Sequence, residues 1–289
     1  MTGFGEAQIR AAAYSMANPT LRKIKILRAK LTGHGKTIVA FSGGVDSSLV
    51  AKVAKDELDR DALAVIAVSP TLPKVELEAA RQTAKMIGIK LLEVTHDELA
   101  VGEITRNDEK RCYFCKGALA AALSKVAKEQ GYVRIVDGVN FSDTKEYRPG
   151  IAAATEAGID HPLAEIEATK EEVRAMAKLI GLLNWDKPAA ACLSSRIPFG
   201  TTITAELLAR VEGAEAHLRS LGFRQVRVRT DGTRGSIEVD ADQVALLQQL
   251  SAAGNVVAPL ERLGYTEVAI DEKGYRPGSL VPVALRGTP

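Results

Sequence analysis

The feature that most constrains this chain is a glycine-rich segment at residues 41–48, with the sequence FSGGVDSS. It follows an apolar, β-branched run at residues 37–40, which is typical of a buried parallel strand. It precedes an apolar stripe at helical spacing that includes Leu49, Val50 and Val53. The sequence therefore predicts a turn between a strand and the start of a helix. In such a turn, glycines and unpaired helix N–H groups can approach an anion closely.

The residues of this turn exclude two common nucleotide-binding loops. No Lys follows the glycines as in GxxxxGK[ST], and the pattern is not GxGxxG. SGGxDS between a strand and a helix instead resembles the PP-loop of the ATP pyrophosphatases. The resemblance implies that the loop holds the pyrophosphate that leaves ATP, and that Asp46 carries Mg²⁺. The implied ATP-binding residues in the loop are Ser42, Gly43, Gly44, Asp46, Ser47 and Ser48. A plain serine/glycine turn is the alternative.

The composition is that of an ordinary soluble protein, with 289 residues, 46% apolar and 26% charged. The net charge of +2 is too balanced to indicate a nucleic-acid-binding surface, so we expect no nucleic-acid partner. No apolar run reaches membrane-spanning length, and no continuous apolar signal core stands at the N-terminus. We therefore expect a cytoplasmic location and no membrane partner.

Strand and helix patterns alternate along the first two thirds of the chain. Residues up to about Arg28 have a helical pattern. Strand-like runs then occupy Lys36–Phe41, Ala62–Val68, Lys90–Val94 and Val133–Asp137, with helical stripes between them. This alternation predicts an α/β fold with a doubly wound parallel sheet, whose ligands lie beyond the carboxyl ends of the strands.

The pattern changes around Pro198–Gly200. A helix is predicted over Thr204–Leu221, and a hairpin follows in which Arg227 and Arg229 alternate with valines on one strand. On the amphipathic helix, Glu215 is predicted to be exposed. The sequence thus predicts two domains, a nucleotide-binding domain at residues 1–198 and a small α+β domain for substrate binding or oligomerisation at residues 199–289.

Three cysteines are present, Cys112 and Cys115 in RCYFCK and Cys192 in ACLSSRIP. An odd, small number of cysteines in a chain of this length is not a disulfide framework. The local sequence leaves three alternatives open. They are buried apolar cysteines, a zinc site completed by a histidine, and a [4Fe–4S] cluster with one open iron.

The segments SGGVDSS, RCYFCK, DGVNFSDTKEYRPG and CLSSRIPFGTTIT together resemble the LarE family. These are ATP-dependent sulfur transferases that make the nickel-pincer nucleotide cofactor. The resemblance implies a PP-loop fold of the adenine nucleotide alpha-hydrolase-like type. It also implies a small-molecule substrate, pyridinium-3,5-biscarboxylic acid mononucleotide. One carboxylate is adenylated by ATP, and sulfur then displaces AMP to give a thiocarboxylate.

The resemblance implies two sources of sulfur. In some members a lone cysteine, matching Cys192, gives up its sulfur and becomes dehydroalanine. In others three cysteines, matching Cys112, Cys115 and Cys192, hold a [4Fe–4S] cluster that carries an extra sulfide. Because this chain has both the CxxC pair and Cys192, the resemblance favours the cluster, with all three cysteines catalytic.

The resemblance also implies roles for residues at other matching positions. Ser69 matches a residue that packs against the adenosine of ATP, with a strand-end cap as the alternative. The implied substrate-binding residues are Asp143, Arg148, Arg196, Arg227, Arg229 and Glu238. A homo-oligomer is expected. The rival hypotheses are a tRNA thiolase with a PP-loop and a non-catalytic adenine-nucleotide-binding module.

Overall fold

The structure is a computed structural model that describes residues 18–276. The helical pattern predicted near the N-terminus is present from Pro19, and its earlier part lies outside the described residues. The strands are β1 Thr37–Ala40, β2 Ala62–Val68, β3 Lys90–Thr95, β4 Arg134–Val136, β5 Val226–Thr230, β6 Arg234–Val239 and β7 Glu267–Ile270. The helices are α1 Pro19–Leu31, α2 Val45–Leu58, α3 Lys74–Ile87, α4 Gly102–Thr105, α5 Arg111–Gln130, α6 Pro149–Glu156, α7 Pro162–Glu165, α8 Lys170–Leu179, α9 Ala205–Ser220, α10 Val244–Ala252 and α11 Val257–Arg262.

The first four strands form one parallel sheet in the order β3-β2-β1-β4. Ile38 of β1 is aligned with Leu63 of β2 on one side and with Ile135 of β4 on the other. All three side chains are buried, together with Leu123 and Ala154 from α5 and α6. The β-branched and aliphatic runs form strands because both faces of a helix-covered parallel sheet are apolar. The predicted parallel sheet flanked by helices is confirmed.

A second, smaller sheet has the order β5-β6-β7. The predicted hairpin is present as the antiparallel pair β5–β6, and β7 lies parallel to β6. Val226, Val228 and Ile237 point into a core that also contains Leu218 and Phe223. The alternation of valine with arginine on β5 follows the period of two of a strand, which places the valines on the buried core side.

The chain divides into two compact units that are discontinuous in sequence. The first contains the described residues up to Val68, Val75–His96 and Lys116–Ala189. The second contains Ser69–Lys74, Asp97–Cys115 and the described residues from Ala190 onward. The domain boundary between residues 198 and 199 stays a prediction. Within residues 18–276, no helix combines the length and the apolar character that crossing a membrane requires.

Candidate active site

The strand order creates a crevice in the first unit. The chain runs from β1 to β2 and β3 on one side and returns to β4 on the other, so β1 and β4 flank the point where the order reverses. Open α/β sheets bind ligands at such a point, beyond the carboxyl ends of the strands. The segments that follow β1 and β4, residues 41–44 and 137–143, lie at this edge.

The segment after β1 is the glycine-rich loop, and its own serines hold it in shape. The N–H of Ser42 donates to Oγ of Ser47 at 3.2 Å, and the two hydroxyl oxygens are 3.0 Å apart. The N–H of Gly44 donates to Oγ of Ser42 at 3.3 Å. Helix α2 then begins with Gly44 as its N-cap, and glycine has no side chain to accept the first N–H groups. The start of α2 can therefore bind an anion through its backbone N–H groups.

Two glycines allow other segments to approach this loop closely. Gly43 has a φ of 69°, and a Cβ added to it would lie 2.6 Å from Cβ of Ala80 on α3. A Cβ added to Gly138, after β4, would lie 2.6 Å from the backbone N of Ser47. Larger residues at either position would push α3 or the β4 loop away from the anion-binding turn.

Asp46 lies in the first turn of α2, where Nδ2 of Asn140 donates to its Oδ1 at 2.8 Å. Burial raises the pKa of Asp46, and the charge of Asp143 raises it further. The hydrogen bond from Asn140 and the charge of Lys170 act in the opposite direction. A half-buried carboxylate beside a second carboxylate is the donor set that a hard cation stabilises in its ionised form, so the residues fit the implied Mg²⁺.

Asp143 is in turn surrounded by cations. Nη2 of Arg148 lies 3.1 Å and Nζ of Lys170 lies 3.2 Å from Oδ1 of Asp143, and both cations also contact Glu146. The predicted residues Asp143 and Arg148 are thus brought together. Lys170 joins them from α8, and no local pattern indicated it.

The three cysteines all belong to the second unit, and all have free thiols. The N–H of Leu193, next to Cys192, donates to the carbonyl of Thr71 at 2.8 Å. Nη1 of Arg111, next to Cys112, donates to the carbonyl of Ser194 at 3.1 Å. These hydrogen bonds fix the CxxC segment and the CLSSR segment within the same unit, although about 80 residues separate them in the chain (192 − 112).

Glu98 organises the surroundings of Cys115, and it was not predicted. The thiol of Cys115 donates to Oε1 of Glu98 at 2.8 Å. The hydroxyl of Ser69 donates to Oε2 at 3.1 Å, and the hydroxyl of Thr71 also donates to it. Burial raises the pKa of Cys115, and Glu98 and then the thiols of Cys192 and Cys112 raise it further.

The described part of the chain contains no cluster of three His, Cys, Asp or Glu side chains arranged around a single metal ion. The three thiols lie in segments of the same unit, but they are not arranged around a single metal ion. Their donor type still suits iron–sulfur chemistry.

A buried ion pair lies directly after Cys192. Nε and Nη2 of Arg196 bind the two carboxylate oxygens of Glu215 at 2.7 and 2.9 Å. Nη1 of Arg196 donates to the carbonyl of Cys192 at 2.9 Å. The prediction that Glu215 is exposed is wrong, since its exposed fraction is 0%. Burial acts to raise the pKa of Glu215, but Arg196 together with Arg219 and Arg227 holds it below its usual value.

The predicted basic face of β5 is not a solvated surface, since Arg227 is buried and the side chain of Arg229 is 12% exposed. Arg229 donates to the carbonyl of Ser195 at 2.8 Å and binds Glu238 at 2.9 Å. Arg227 donates to the carbonyl of Val226, and burial followed by the charge of Arg196 lowers its pKa. The cluster of Arg196, Arg219, Arg227, Arg229, Glu215 and Glu238 contains four cations and two anions, which leaves an excess of positive charge.

Comparisons with known proteins agree with this fold. A family model described as NAD synthase matches residues 22–128. An uncharacterized protein of Synechocystis sp. is 45% identical over 258 residues, which is 89% of this chain and 96% of that protein. The pyridinium-3,5-bisthiocarboxylic acid mononucleotide synthase of Lactiplantibacillus plantarum is 36% identical over 266 residues, 92% of this chain and 95% of that protein. An uncharacterized protein of Methanocaldococcus jannaschii is 28% identical over 241 residues, 83% of this chain and 91% of that protein.

The strand order, the loop after β1 and the family match define an ATP-utilising enzyme of the PP-loop class, a class that generally works with Mg²⁺. The similarity to the L. plantarum synthase extends over nearly the whole of both chains. The chain belongs to the LarE family of synthases.

Proposed function

We propose that this protein uses ATP to convert a carboxylate of pyridinium-3,5-biscarboxylic acid mononucleotide into a thiocarboxylate. The observation that carries the proposal is the donor-lined loop after β1, with Asp46 fixed by Asn140 at 2.8 Å. The name of the L. plantarum relative specifies the bisthiocarboxylic product for that protein. We extend that product to this chain as part of the nickel-pincer nucleotide route.

In the proposed first step, an oxygen of the substrate carboxylate attacks the α-phosphorus of ATP. The bond from that phosphorus to the bridging oxygen breaks, and pyrophosphate leaves with the electron pair. The hydroxyls of Ser42, Ser47 and Ser48 and the N–H groups of Gly43 and Gly44 bind the departing anion. Asp46 would hold Mg²⁺, which when bound neutralises charge on the phosphate oxygens.

In the second step, sulfur attacks the carbonyl carbon of the acyl-adenylate. The carbon–oxygen bond to AMP breaks, and AMP leaves with that electron pair. Adenylation is needed because a carboxylate is a poor electrophile, whereas the acyl-adenylate has a stabilised leaving group. The acyl-adenylate is a mixed anhydride that water can hydrolyse, so the proposed step requires a site that excludes water until sulfur attacks.

The arginine-rich cluster of the second unit supports binding of the substrate's phosphate and carboxylates. Arg229 and Arg227 extend from one strand, and both guanidinium groups lie in protein surroundings that strengthen electrostatic attraction. Guanidinium groups suit phosphate and carboxylate because they present parallel N–H donors. Arg196, Glu238, Asp143 and Arg148 remain substrate-binding residues in this proposal, and Ser69 remains an adenosine contact.

For sulfur delivery we propose a [4Fe–4S] cluster held by Cys112, Cys115 and Cys192. A four-iron cluster binds each cysteine at a different iron, so its ligands need not converge on one point as those of a single ion must. The hydrogen bonds that fix the segments of the three cysteines relative to one another support such ligation. When bound, the cluster would supply one iron without a protein ligand as a carrier for exogenous sulfide.

The cluster is tested on protein purified without oxygen. We expect visible absorption of an iron–sulfur cluster, about four irons and four sulfides per chain, and loss of that iron when any of the three cysteines is replaced by Ser. Ser220→Ala, on the exposed end of α9, should keep both iron and activity.

The sacrificial route predicts a different result. Cys112→Ser and Cys115→Ser would then retain a single turnover, and the peptide that contains Cys192 would lose the mass of H₂S. Absence of bound iron after anaerobic reconstitution, together with that dehydroalanine product, would refute the cluster and leave the adenylation chemistry intact.

The reaction itself is tested by pyrophosphate release. We expect release only when ATP, Mg²⁺ and the pyridinium dicarboxylate mononucleotide are all present. Release with tRNA instead of the mononucleotide would identify a tRNA thiolase, and ATP binding without release would identify a non-catalytic nucleotide-binding module. A cytoplasmic location and a homo-oligomer belong to the same proposal.

A further inference from the structure

Lys187 contacts the glycine-rich loop from outside it. Nζ of Lys187 donates to the carbonyl of Gly43 at 3.4 Å and forms an ion pair with Oε2 of Glu76 on α3 at 2.8 Å. Neighbouring Asn184 reaches the same loop, where its Nδ2 donates to Oγ of Ser48 at 3.0 Å and to the carbonyl of Gly43 at 3.3 Å. The segment 184–187 therefore contacts the glycine-rich loop, although it lies more than 130 residues after the loop in the chain.

The segment that carries Lys187 is held firmly by α8. Arg174 donates from Nη1 to the carbonyl of Trp185 at 3.0 Å and from Nη2 to the carbonyl of Lys187 at 2.8 Å. The N–H of Lys187 donates to the carbonyl of Asn184 at 3.0 Å, which closes a turn. The backbone of Lys187 is thus fixed, and the tip of its side chain is held by the carbonyl of Gly43 and the carboxylate of Glu76.

The loop itself has no lysine, although pyrophosphate carries several negative charges. Mg²⁺ balances only part of that charge, and backbone N–H groups donate hydrogen bonds without adding net positive charge. Lys187 brings a cation to the carbonyl of Gly43, in the middle of the turn that binds the anion. Its partner Glu76 is partly exposed, as is Lys187 itself, with 21% and 20% of the side chains accessible. Oε2 of Glu76, the atom paired with Lys187, is itself buried, so the pair holds the ammonium group in place in the empty site. A multiply charged anion at the loop attracts that group more strongly than a single carboxylate does, so it can replace Glu76.

We propose that Lys187 binds the leaving pyrophosphate. Glu76 holds the ammonium group of Lys187 when the site is empty, and the ammonium group moves from Glu76 to a phosphate oxygen when ATP binds. Lys187 thus replaces, from a distant segment, the lysine that other phosphate-binding loops contain within the loop. Glu76 competes with the ligand for the same cation. The inference rests on the proposed use of ATP and adds a residue to that site.

The competition between Glu76 and the ligand can be measured without catalysis. Inorganic pyrophosphate is titrated into the full chain by calorimetry at constant Mg²⁺. We expect Lys187→Gln to weaken pyrophosphate binding by about tenfold or more and Lys187→Arg to weaken it much less, because the charge is retained. Glu76→Gln should tighten binding severalfold. The double variant should bind like Lys187→Gln, because Glu76 acts through Lys187.

Lys85→Gln is the matched control, since Lys85 lies on the same helix as Glu76 with its side chain in solvent. It should bind pyrophosphate as the unaltered chain does. Lys187→Gln with a lowered melting temperature and unchanged pyrophosphate affinity would make Lys187 a purely structural residue and overturn the inference. Should Lys187→Gln fail to fold, Glu76→Gln tests the inference alone, because unchanged or weaker pyrophosphate binding by that variant also overturns the inference.

If the unaltered chain binds neither ATP nor pyrophosphate, the proposed function fails. If it binds both and Lys187→Gln binds both equally well, only the role of Lys187 fails.

Discussion

Asn140 donates a hydrogen bond from Nδ2 to Oδ1 of Asp46 at 2.8 Å, across 94 positions of sequence. The bond joins the segment after β4 to the first turn of α2. Gly138 stands two residues before Asn140 and allows this approach, because any Cβ there would meet the backbone of Ser47. The carboxylate of Asp46 is thereby held at the carboxyl edge of the sheet, at the crevice between β1 and β4.

We expect Asp46→Asn to lower the rate of pyrophosphate release by about a hundredfold or more, because an amide cannot replace a carboxylate as a Mg²⁺ ligand. The melting temperature should stay close to that of the unaltered chain, since an amide still bonds to Asn140. Pyrophosphate release measured with a coupled assay checks this. Asp56→Asn, on the exposed side of the same helix and paired with Lys52, is the control and should remain active. Near-normal release by Asp46→Asn would remove the assignment of the loop.

Gly43→Ala should abolish ATP binding and destabilise the fold by about 2–4 kcal/mol. Part of the cost comes from a positive φ, and part from the contact with Ala80 at 2.6 Å. Gly88→Ala separates the two causes, because Gly88 has a φ of 77° with open space around its Cβ position. It should cost only about 1 kcal/mol and leave ATP binding intact. Urea denaturation and calorimetry measure both effects, and equal costs for the two variants would contradict the steric argument.

Arg227→Ala and Arg229→Ala should each weaken binding of the pyridinium mononucleotide by about ten- to a hundredfold while changing ATP affinity little. The expected range follows from the loss of charge-assisted hydrogen bonds, each contributing about 1.5–3 kcal/mol. Arg234→Ala is the control, since Arg234 begins the partner strand and is paired with Asp231 in solvent. Calorimetric titration of each variant with the mononucleotide measures this change in affinity. Normal binding by both variants would mean that the arginine cluster serves stability alone.

His161 should make the stability of the first unit depend on pH. Its Nδ1 lies 2.8 Å from Oδ1 of Asp137 at the end of β4, and its Nε2 lies 2.9 Å from the hydroxyl of Thr155. Thr155 already donates to the carbonyl of Ile151, so it accepts from the ring. The hydrogen bond that Nδ1 of His161 donates to Asp137 is the main cause that raises the pKa of His161 above 6.5. The protonated ring is therefore favoured in the folded state.

Because the folded pKa is the higher one, this stabilisation is fully present below the unfolded pKa of about 6.5 and is lost as pH rises through the folded pKa. We expect His161→Gln to lower the free energy of unfolding more at pH 5.5 than at pH 8.5, as measured by urea denaturation. His34→Gln, at an exposed position, should change it little at either pH. If His161→Gln instead destabilises the protein more at pH 8.5 than at pH 5.5, folding does not raise the pKa of His161, and the protonated pair is refuted.

Local patterns of the sequence determined the elements of this fold. The β-branched run at residues 37–40, the two glycines after it and the apolar stripe from Leu49 predict strand, turn and helix, and all are present. The hairpin of β5 and β6 is predicted by the alternation of valine and arginine along β5 and by the Asp231-Gly232 turn, and it is present. Such features depend on neighbours within a few residues, which is the distance over which periodicity and turn chemistry act. The motif combination likewise indicated the family.

Only the tertiary structure decided which side chains meet. Periodicity placed Glu215 on the polar side of an amphipathic helix, yet Arg196 from another segment neutralises it in the interior. Glu98 beside Cys115, Asn140 beside Asp46 and Lys187 beside Gly43 are likewise long-range contacts. Burial of a charged or polar group is favourable only when a partner is supplied. The partner comes from a part of the chain that the local pattern does not contain, and so the fold, not the pattern, sets these contacts.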